Sequence, residues 1–320
     1  MLFVVLAAAL WGIGALMRAP VRARLGMIAV LYAGVLLVHL TLPADAGLPR
    51  ALGGSLASWG ALGVVAALVA GYAGMLARLR QRRKQPEAAT GPGRFRPAEL
   101  DRYARHIMLR ELGGPGQRAL KDARVLVIGA GGLGSPALLY LAAAGVGTIG
   151  IIDDDVVENS NLQRQVIHTD DRIGQPKVAS AQAAMLALNP FITVRPYHRR
   201  LTAEVAAELL AEYDLVLDGS DNFDTRYLVN RVAVAQGKPL ISAAMTQWEA
   251  QIALYDPARG GPCYECIFPE RPAPGLVPTC AEAGIVAPLP GVMGSMMALE
   301  AVKTITGAGE GLRNRLMIYD

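Results

Sequence analysis

Residues 124–134 read R-V-L-V-I-G-A-G-G-L-G, and the rest of the chain is placed by what this stretch becomes. Apolar, β-branched R-V-L-V-I (124–128) has the composition of a buried strand. It runs into the glycine turn Gly129–Gly134 and then into a helical pattern ending at Gly145. T-I-G-I-I (148–152) reads as a second strand, and it ends at Asp153, 19 residues beyond Gly134. Strand, glycine turn, helix, strand and acid, in that order, form the dinucleotide-binding fingerprint in its proper context. Gly129, Gly131, Gly132 and Gly134 let the backbone approach a ligand. The helix start favours anionic groups, and Asp153 stands where an acid accepts hydrogen bonds from ribose. The fold class is therefore α/β and Rossmann-like, with a mostly parallel sheet flanked by helices.

On that unit alone an NAD-dependent oxidoreductase is the default. The residues that follow argue otherwise. N-S-N-L-Q-R-Q (159–165) and I-G-Q-P-K (173–177) bring two cations, Arg164 and Lys177, 11 and 24 residues past the acid. A dinucleotide's pyrophosphate needs only backbone amides. A triphosphate attacked at its α-phosphorus needs its developing charge neutralised. Arg offers a planar fork to phosphate oxygens and Lys a point charge. Asn161 and Gln163 add neutral donors.

Y-D-L-V-L-D-G-S-D-N (213–222) reads as another buried strand ending in polar residues. Ligands bind at the carboxyl ends of strands in such sheets. Asp221 is thereby expected to hold magnesium bridging phosphates, since that ion takes one or two carboxylates plus phosphate oxygens and water. Upstream, residues 94–107 open a helix carrying Arg102 and Arg105 three apart on one face. Each charged residue alone is consistent with a solvated surface; the set at strand ends is not.

Taken together, R-Y-A-R, G-A-G-G-L-G, D-D-D-V-V-E-N-S-N-L-Q-R-Q, I-G-Q-P-K, D-G-S-D-N-x-x-x-R and T-C-A-E-A-G run from residue 102 to 284, and the resemblance they carry covers residues 94–320. This set resembles the ThiF/MoeB/HesA family, the adenylyltransferases of molybdopterin and thiamine biosynthesis related to ubiquitin-activating enzymes. The resemblance implies ATP with magnesium as cofactors and a ubiquitin-like sulfur carrier, with a Gly-Gly C-terminus, as substrate. A sulfur donor would complete the pathway. It implies that Gly132 packs the phosphates and Asp153 binds ribose. Arg164 and Lys177 would hold the triphosphate, and Asp221 magnesium with Asn222 beside it. Arg105 would reach across a homodimer into the partner's ATP site.

The three cysteines are too few for a disulfide framework. C-Y-E-C (263–266) has zinc-knuckle spacing, but Cys263 and Cys266 supply half of a tetrahedral site. The resemblance implies a second such pair near a C-terminus, where this sequence stops at I-Y-D. A partial zinc site, two plain thiols and a disulfide all remain open. Cys280, in P-T-C-A-E-A-G, matches a position at which some relatives form a covalent link to their carrier. Glu282 beside it opposes thiolate formation. Residues 288–307 read as a long helix whose Met293, Met296 and Met297 suit core or interface.

Residues 1–77 differ in kind. Apolar runs at 1–17, 25–42 and 51–76 carry almost nothing ionisable, and each is near the length of a membrane span. Three transmembrane helices are expected. A signal peptide is disfavoured because Met-Leu-Phe supplies no basic leader. Arg18, Arg22 and Arg24 follow the first run, and R-L-R-Q-R-R-K (78–84) follows the third. Both would lie on the cytoplasmic side, giving a multi-pass cell-membrane protein with its catalytic domain in the cytoplasm. Residues 78–93 form a basic segment and linker. Gly12, Gly14, Gly53, Gly54, Gly60 and Gly63 are small enough to let helices approach.

Mean hydropathy of +0.32 and a pI near 9.0 both originate in this N-terminal part. Residues 1–90 hold nine basic and two acidic residues; the remainder holds 22 basic and 25 acidic. With the folded domain at net −3, the pI is no evidence for nucleic-acid binding, which needs a basic patch on that domain. That also weighs against activating a carboxylate on modified tRNA. A non-catalytic scaffold would have no use for Asp153, Arg164, Lys177 and Asp221 together.

Overall fold

The computed structural model describes residues 2–17, 19–43, 45–84, 95–273 and 283–320 of the chain. The chain divides into two compact units, Met1–Gln85 and Pro86–Asp320. The linker reading at 85–93 and Cys280 lie outside the described residues.

The N-terminal unit contains α1 (Leu2–Leu16), α2 (Val21–Thr41), α3 (Gly47–Leu52) and α4 (Leu56–Lys84). Among the described residues two helices are long and apolar enough to cross a membrane, through Ala23–Thr41 and Leu56–Leu76. The expectation of three is thus corrected. Helix α1 has 15 residues, about 22 Å at 1.5 Å per residue, short of a hydrocarbon core about 30 Å thick. The third apolar run is interrupted as well: α3 ends where Gly53 and Gly54 take φ of 70° and 77°, and α4 begins after them. Trp59 ties the unit together, edge-to-face with Phe3 at 5.1 Å and tilted against Tyr32 at 6.1 Å. Gly63 leaves room for Tyr32, because a Cβ there would lie 2.4 Å from its hydroxyl. Val30, Leu37, Leu40, Val64, Leu68 and Val69 point outward and are exposed.

The second unit is built on a seven-stranded sheet in the order β3-β2-β1-β4-β5-β6-β7. The strands β1 (Arg124–Ile128), β2 (Thr148–Ile152), β3 (Thr193–Tyr197), β4 (Leu215–Asp218) and β5 (Leu240–Met245) are parallel. The antiparallel β6 (Ala250–Tyr255) and β7 (Leu316–Tyr319) extend one side. Side chains alternate across the sheet. Val125 and Val127 join a core with helices α7 (Gly113–Asp122), α8 (Gly134–Ala144), α9 (Lys177–Leu188) and α13 (Pro288–Thr306). Leu126 and Ile128 join a second core with α10 (Ala203–Ala211) and α11 (Phe223–Ala235). Burial on both faces explains why β1 carries an unbroken apolar run rather than alternation. Met293 and Met297 are fully buried in the first core and Met296 is packed against it.

Two local readings shift. The helix expected over 94–107 is two short ones, α5 (Pro97–Arg102) and α6 (Ala104–Ile107), hinged at Tyr103. Arg102 therefore serves packing: it lies over the Phe191 ring at 5.5 Å and donates to Leu188 O. The knuckle residues sit at α12 (Tyr264–Ile267).

Candidate active site

The chain order places β1 beside both β2 and β4, so the crossover direction reverses between β1 and β4. A crevice opens at such a switch point, at the carboxyl ends of the strands. Here it is a cavity of about 810 Å³, within the range of small-molecule sites.

The glycine turn forms its floor. Gly129 has φ of 90°, and a Cβ on Gly134 would lie 1.9 Å from Gly129 O. Any side chain at 134 would push the helix start off the turn. Gly131 and Gly132 face the cavity. Ala130, between Gly129 and Gly131, is held from both sides. Its N–H donates to Asp153 Oδ2 at 2.7 Å, and its carbonyl accepts from His168 Nε2 at 2.9 Å. Asp153 Oδ1 accepts the N–H of Asp155 at 2.8 Å, so the carboxylate is fixed at both oxygens.

His168 is buried, and a carbonyl partner requires a proton on Nε2. Nδ1 stands 2.9 Å from Ser180 Oγ, a hydroxyl able to donate to it in the neutral ring. Burial pushes its pKa below the ordinary 6.5; the bond to Ala130 opposes this, and the nearby Lys177 charge adds to it.

Lys177 begins α9, buried, with Nζ 2.7 Å from Asp155 Oδ2. Arg164 is half-buried, and donates to Ser160 O at 3.2 Å and Asn161 Oδ1 at 3.4 Å. Asn161 Oδ1 also accepts from Gln165 Nε2 at 3.0 Å. All four side chains line the cavity.

Beyond β4 the chain turns through Gly219–Asn222. Asn222 caps α11, accepting from Thr225 N–H at 2.9 Å. Asp221 lines the cavity, is exposed, and makes no hydrogen bond or ion pair among the described residues. Asp218, three residues earlier, is its opposite. It is fully buried and accepts from Ser220 N–H, Ser220 Oγ and Ser242 Oγ, with Arg226 at 3.2 Å.

The donor chemistry fits a magnesium ion at Asp221. Among the described residues, Asp153, Asp154 and Asp155 form the one cluster of three groups close enough to share a cation. Asp153 is committed to backbone amides and Asp155 to Lys177, whereas Asp221 has no such partner among the described residues and faces the cavity.

One wall thus carries Gly129, Gly131, Gly132, Asp153, Asn161, Arg164, Lys177, Asp221 and Asn222. Gly134 underlies it. Gln163 is exposed and off the wall, and Gln165 takes the cavity-facing place. Arg105 is exposed on α6, also off the wall. Cys263 and Cys266 are elsewhere, their sulfurs 3.5 Å apart, with no third metal ligand grouped with them among the described residues. Burial pushes the Cys263 thiol up, but hydrogen bonds from the Cys266 backbone and the Asn230 side chain outweigh it, and its pKa lies below the ordinary 9.0. Sequence reasoning missed Arg199, Arg200, Arg226 and Arg271 on the wall. Only Arg226 had a signal, the final position of D-G-S-D-N-x-x-x-R.

Comparison with known proteins agrees with this geometry. The profile described as the ThiF family matches residues 103–320. The sulfur carrier protein adenylyltransferase of Thermus thermophilus is 51% identical over 231 residues, covering 71% of this chain and 85% of that protein. The probable adenylyltransferase/sulfurtransferase MoeZ of Mycobacterium tuberculosis is 52% identical over 225 residues, covering 69% of this chain and 57% of MoeZ. The chain therefore spans little more than half the length of that relative. Among solved structures, E. coli MccB with ATP superposes with a TM-score of 0.57 at 27% identity, over 66% of this chain and 65% of that one. From its strand order, its glycine turn and these matches, the chain belongs to the ThiF family.

Proposed function

We propose that this chain is an ATP-dependent adenylyltransferase that activates the C-terminal carboxylate of a ubiquitin-like sulfur carrier. The observation that carries the reading is the meeting of Asp153, Arg164, Lys177 and Asp221 around one cavity, above a glycine turn. The relatives named as sulfur carrier adenylyltransferase and adenylyltransferase/sulfurtransferase support it.

ATP lies with its ribose on Asp153 and its phosphates over Gly131 and Gly132. The carrier's terminal carboxylate attacks the α-phosphorus, and pyrophosphate leaves. That carboxylate is already ionised at neutral pH, so no general base is needed. Lys177 exchanges Asp155 for a phosphate oxygen, and Arg164 offers its fork to the departing pyrophosphate. Magnesium, held by Asp221 with phosphate oxygens, would neutralise charge on the triphosphate. The rest is positioning and electrostatic stabilisation.

Several finer assignments belong to the same proposal. Arg105 is exposed and outside its own cavity, which supports a role in the site of a second copy. Zinc at Cys263 and Cys266 would need ligands beyond these two. The apolar helices α2 and α4 support membrane attachment. Whether α1 spans or not, Arg18–Arg24 and 78–84 fall on one side of the membrane, which supports a cytoplasmic catalytic unit.

The test is ATP–pyrophosphate exchange, measured with candidate carriers ending in Gly-Gly. Exchange that requires both carrier and magnesium is expected. Stabilisation by NAD, and none by ATP with magnesium, would overturn the reading.

A further inference from the structure

Under the Gly219–Asn222 turn lies a buried ion pair that the proposed chemistry does not touch directly. Arg226, from α11, is buried, and its guanidinium reaches four groups. NH2 donates to Ser220 O at 2.7 Å and Ala243 O at 3.0 Å. NH1 donates to Ser242 Oγ at 2.5 Å and stands 3.2 Å from Asp218 Oδ2. Asp218 in turn accepts the Ser220 N–H at 3.0 Å. Ser220 is therefore held at its carbonyl by Arg226 and at its N–H by Asp218. The next residue is Asp221.

A buried pair of this kind contributes little net stability against an apolar replacement, because desolvation offsets attraction. Its effect is geometric: a planar fork with several acceptors fixes the backbone it touches. The turn is pinned on its other side too. Gly219 N–H donates to Ile128 O at 2.9 Å, and a Cβ on Gly129 would lie 3.1 Å from Gly219 O. Gly219 and Ser220 are thus held in place, while the Asp221 side chain makes no hydrogen bond or ion pair among the described residues.

We propose that Arg226 is a positioning residue, which sets through Ser220 where Asp221 presents its carboxylate to the metal-bound triphosphate. This rests on the adenylyltransferase reading above. Arg226 acts on the metal–phosphate end of the site and not on the ribose end, where Asp153 is held independently by Ala130 and Asp155.

The experiment compares wild type with Arg226→Lys and Ser242→Ala, using the full chain in detergent. Binding of ATP with magnesium and binding of AMP without metal are measured by titration, alongside melting temperature. Lysine keeps the charge but cannot span four acceptors. ATP–magnesium affinity is expected to fall about tenfold, the loss of one charged hydrogen bond, with AMP affinity within about twofold. Ser242→Ala, which leaves the salt bridge in place, should shift ATP–magnesium binding in the same direction by less, and it carries the test if Arg226→Lys does not fold. Equal loss for both nucleotides, or a fall in melting temperature with neither affinity changed, overturns the positioning role. A wild type that binds neither nucleotide removes the adenylyltransferase reading, and this proposal with it.

Discussion

Asp218 and Asp221 sit three residues apart and have opposite environments: Asp218 is fully buried beside Arg226, and Asp221 is exposed on the cavity wall, without a partner among the described residues. Asp218 has no free position for a metal, so it cannot substitute when Asp221 is lost. Asp221→Ala is expected to slow pyrophosphate exchange by about 100- to 1000-fold, the usual cost of one electrostatic contact in the transition state. Near-normal exchange would refute the assignment.

Asp153→Ala is expected to behave differently. In its proposed role Asp153 would hold ribose equally in ground and transition states, so ATP binding should weaken while turnover at saturation is retained. The same substitution frees Ala130 N–H, so melting temperature should fall slightly as well. A steep loss of turnover at saturating ATP would contradict a ribose role.

His168 gives a pH dependence with a definite sign. Its pKa is depressed in the folded protein by burial. An unfolded histidine takes a proton near 6.5, while the folded one waits for lower pH. In that window the unfolded state binds more protons, so stability is full above about 6.5 and declines as pH drops below it. Urea unfolding at pH 7.5 and 5.5 should show this loss, and His168→Gln should reduce it. An identical loss in the variant would show that other groups carry it.

Gly134→Ala is expected to destabilise the second unit by about 1–3 kcal/mol, as overpacking does, because the new Cβ meets Gly129 O at 1.9 Å. ATP binding should weaken along with it. Unchanged thermal unfolding would mean that the turn relaxes freely.

Reporter fusions test the membrane proposal. A fusion after Lys84 should report the cytoplasm and one within 43–55 the opposite side. A fusion at the N-terminus separates the cases: cytoplasmic if α1 does not span, external if it does. Identical compartments for the first two fusions would defeat the proposal.

The glycine turn, Asp153 and Asp221 were legible because each follows a strand whose apolar run marks its end. The cations at 164 and 177 were legible by charge alone. Gln163 and Gln165 were not separable. The 3₁₀ turn at Asn159–Asn161 breaks any periodicity that would say which one faces inward. His168 and Arg226 were hidden for a different reason. Their partners, Ala130 and Ala243, are backbone carbonyls 38 and 17 residues away, and a carbonyl leaves no mark on a sequence. The first apolar run was long enough by count, but its helix closes at Leu16.

The β1–β4 pairing has a consequence for synthesis. Strands β1 and β4 meet across 90 residues of chain, as Arg124 and Asp214 do at their start. Parallel, non-local pairings of this kind form slowly. The cleft wall runs from Ile128 to Pro272, so no shorter stretch emerging from the ribosome can close it. Until β4 has been made, β1 has one open edge, and nascent chains present the apolar residues Val125–Ile128 along an unpaired strand edge that is a target for chaperones or for neighbouring chains. A nucleotide that fits only the completed cleft would draw the last step forward by mass action. Under the proposed function, nucleotide binding would then stabilise completed chains and not partly made ones.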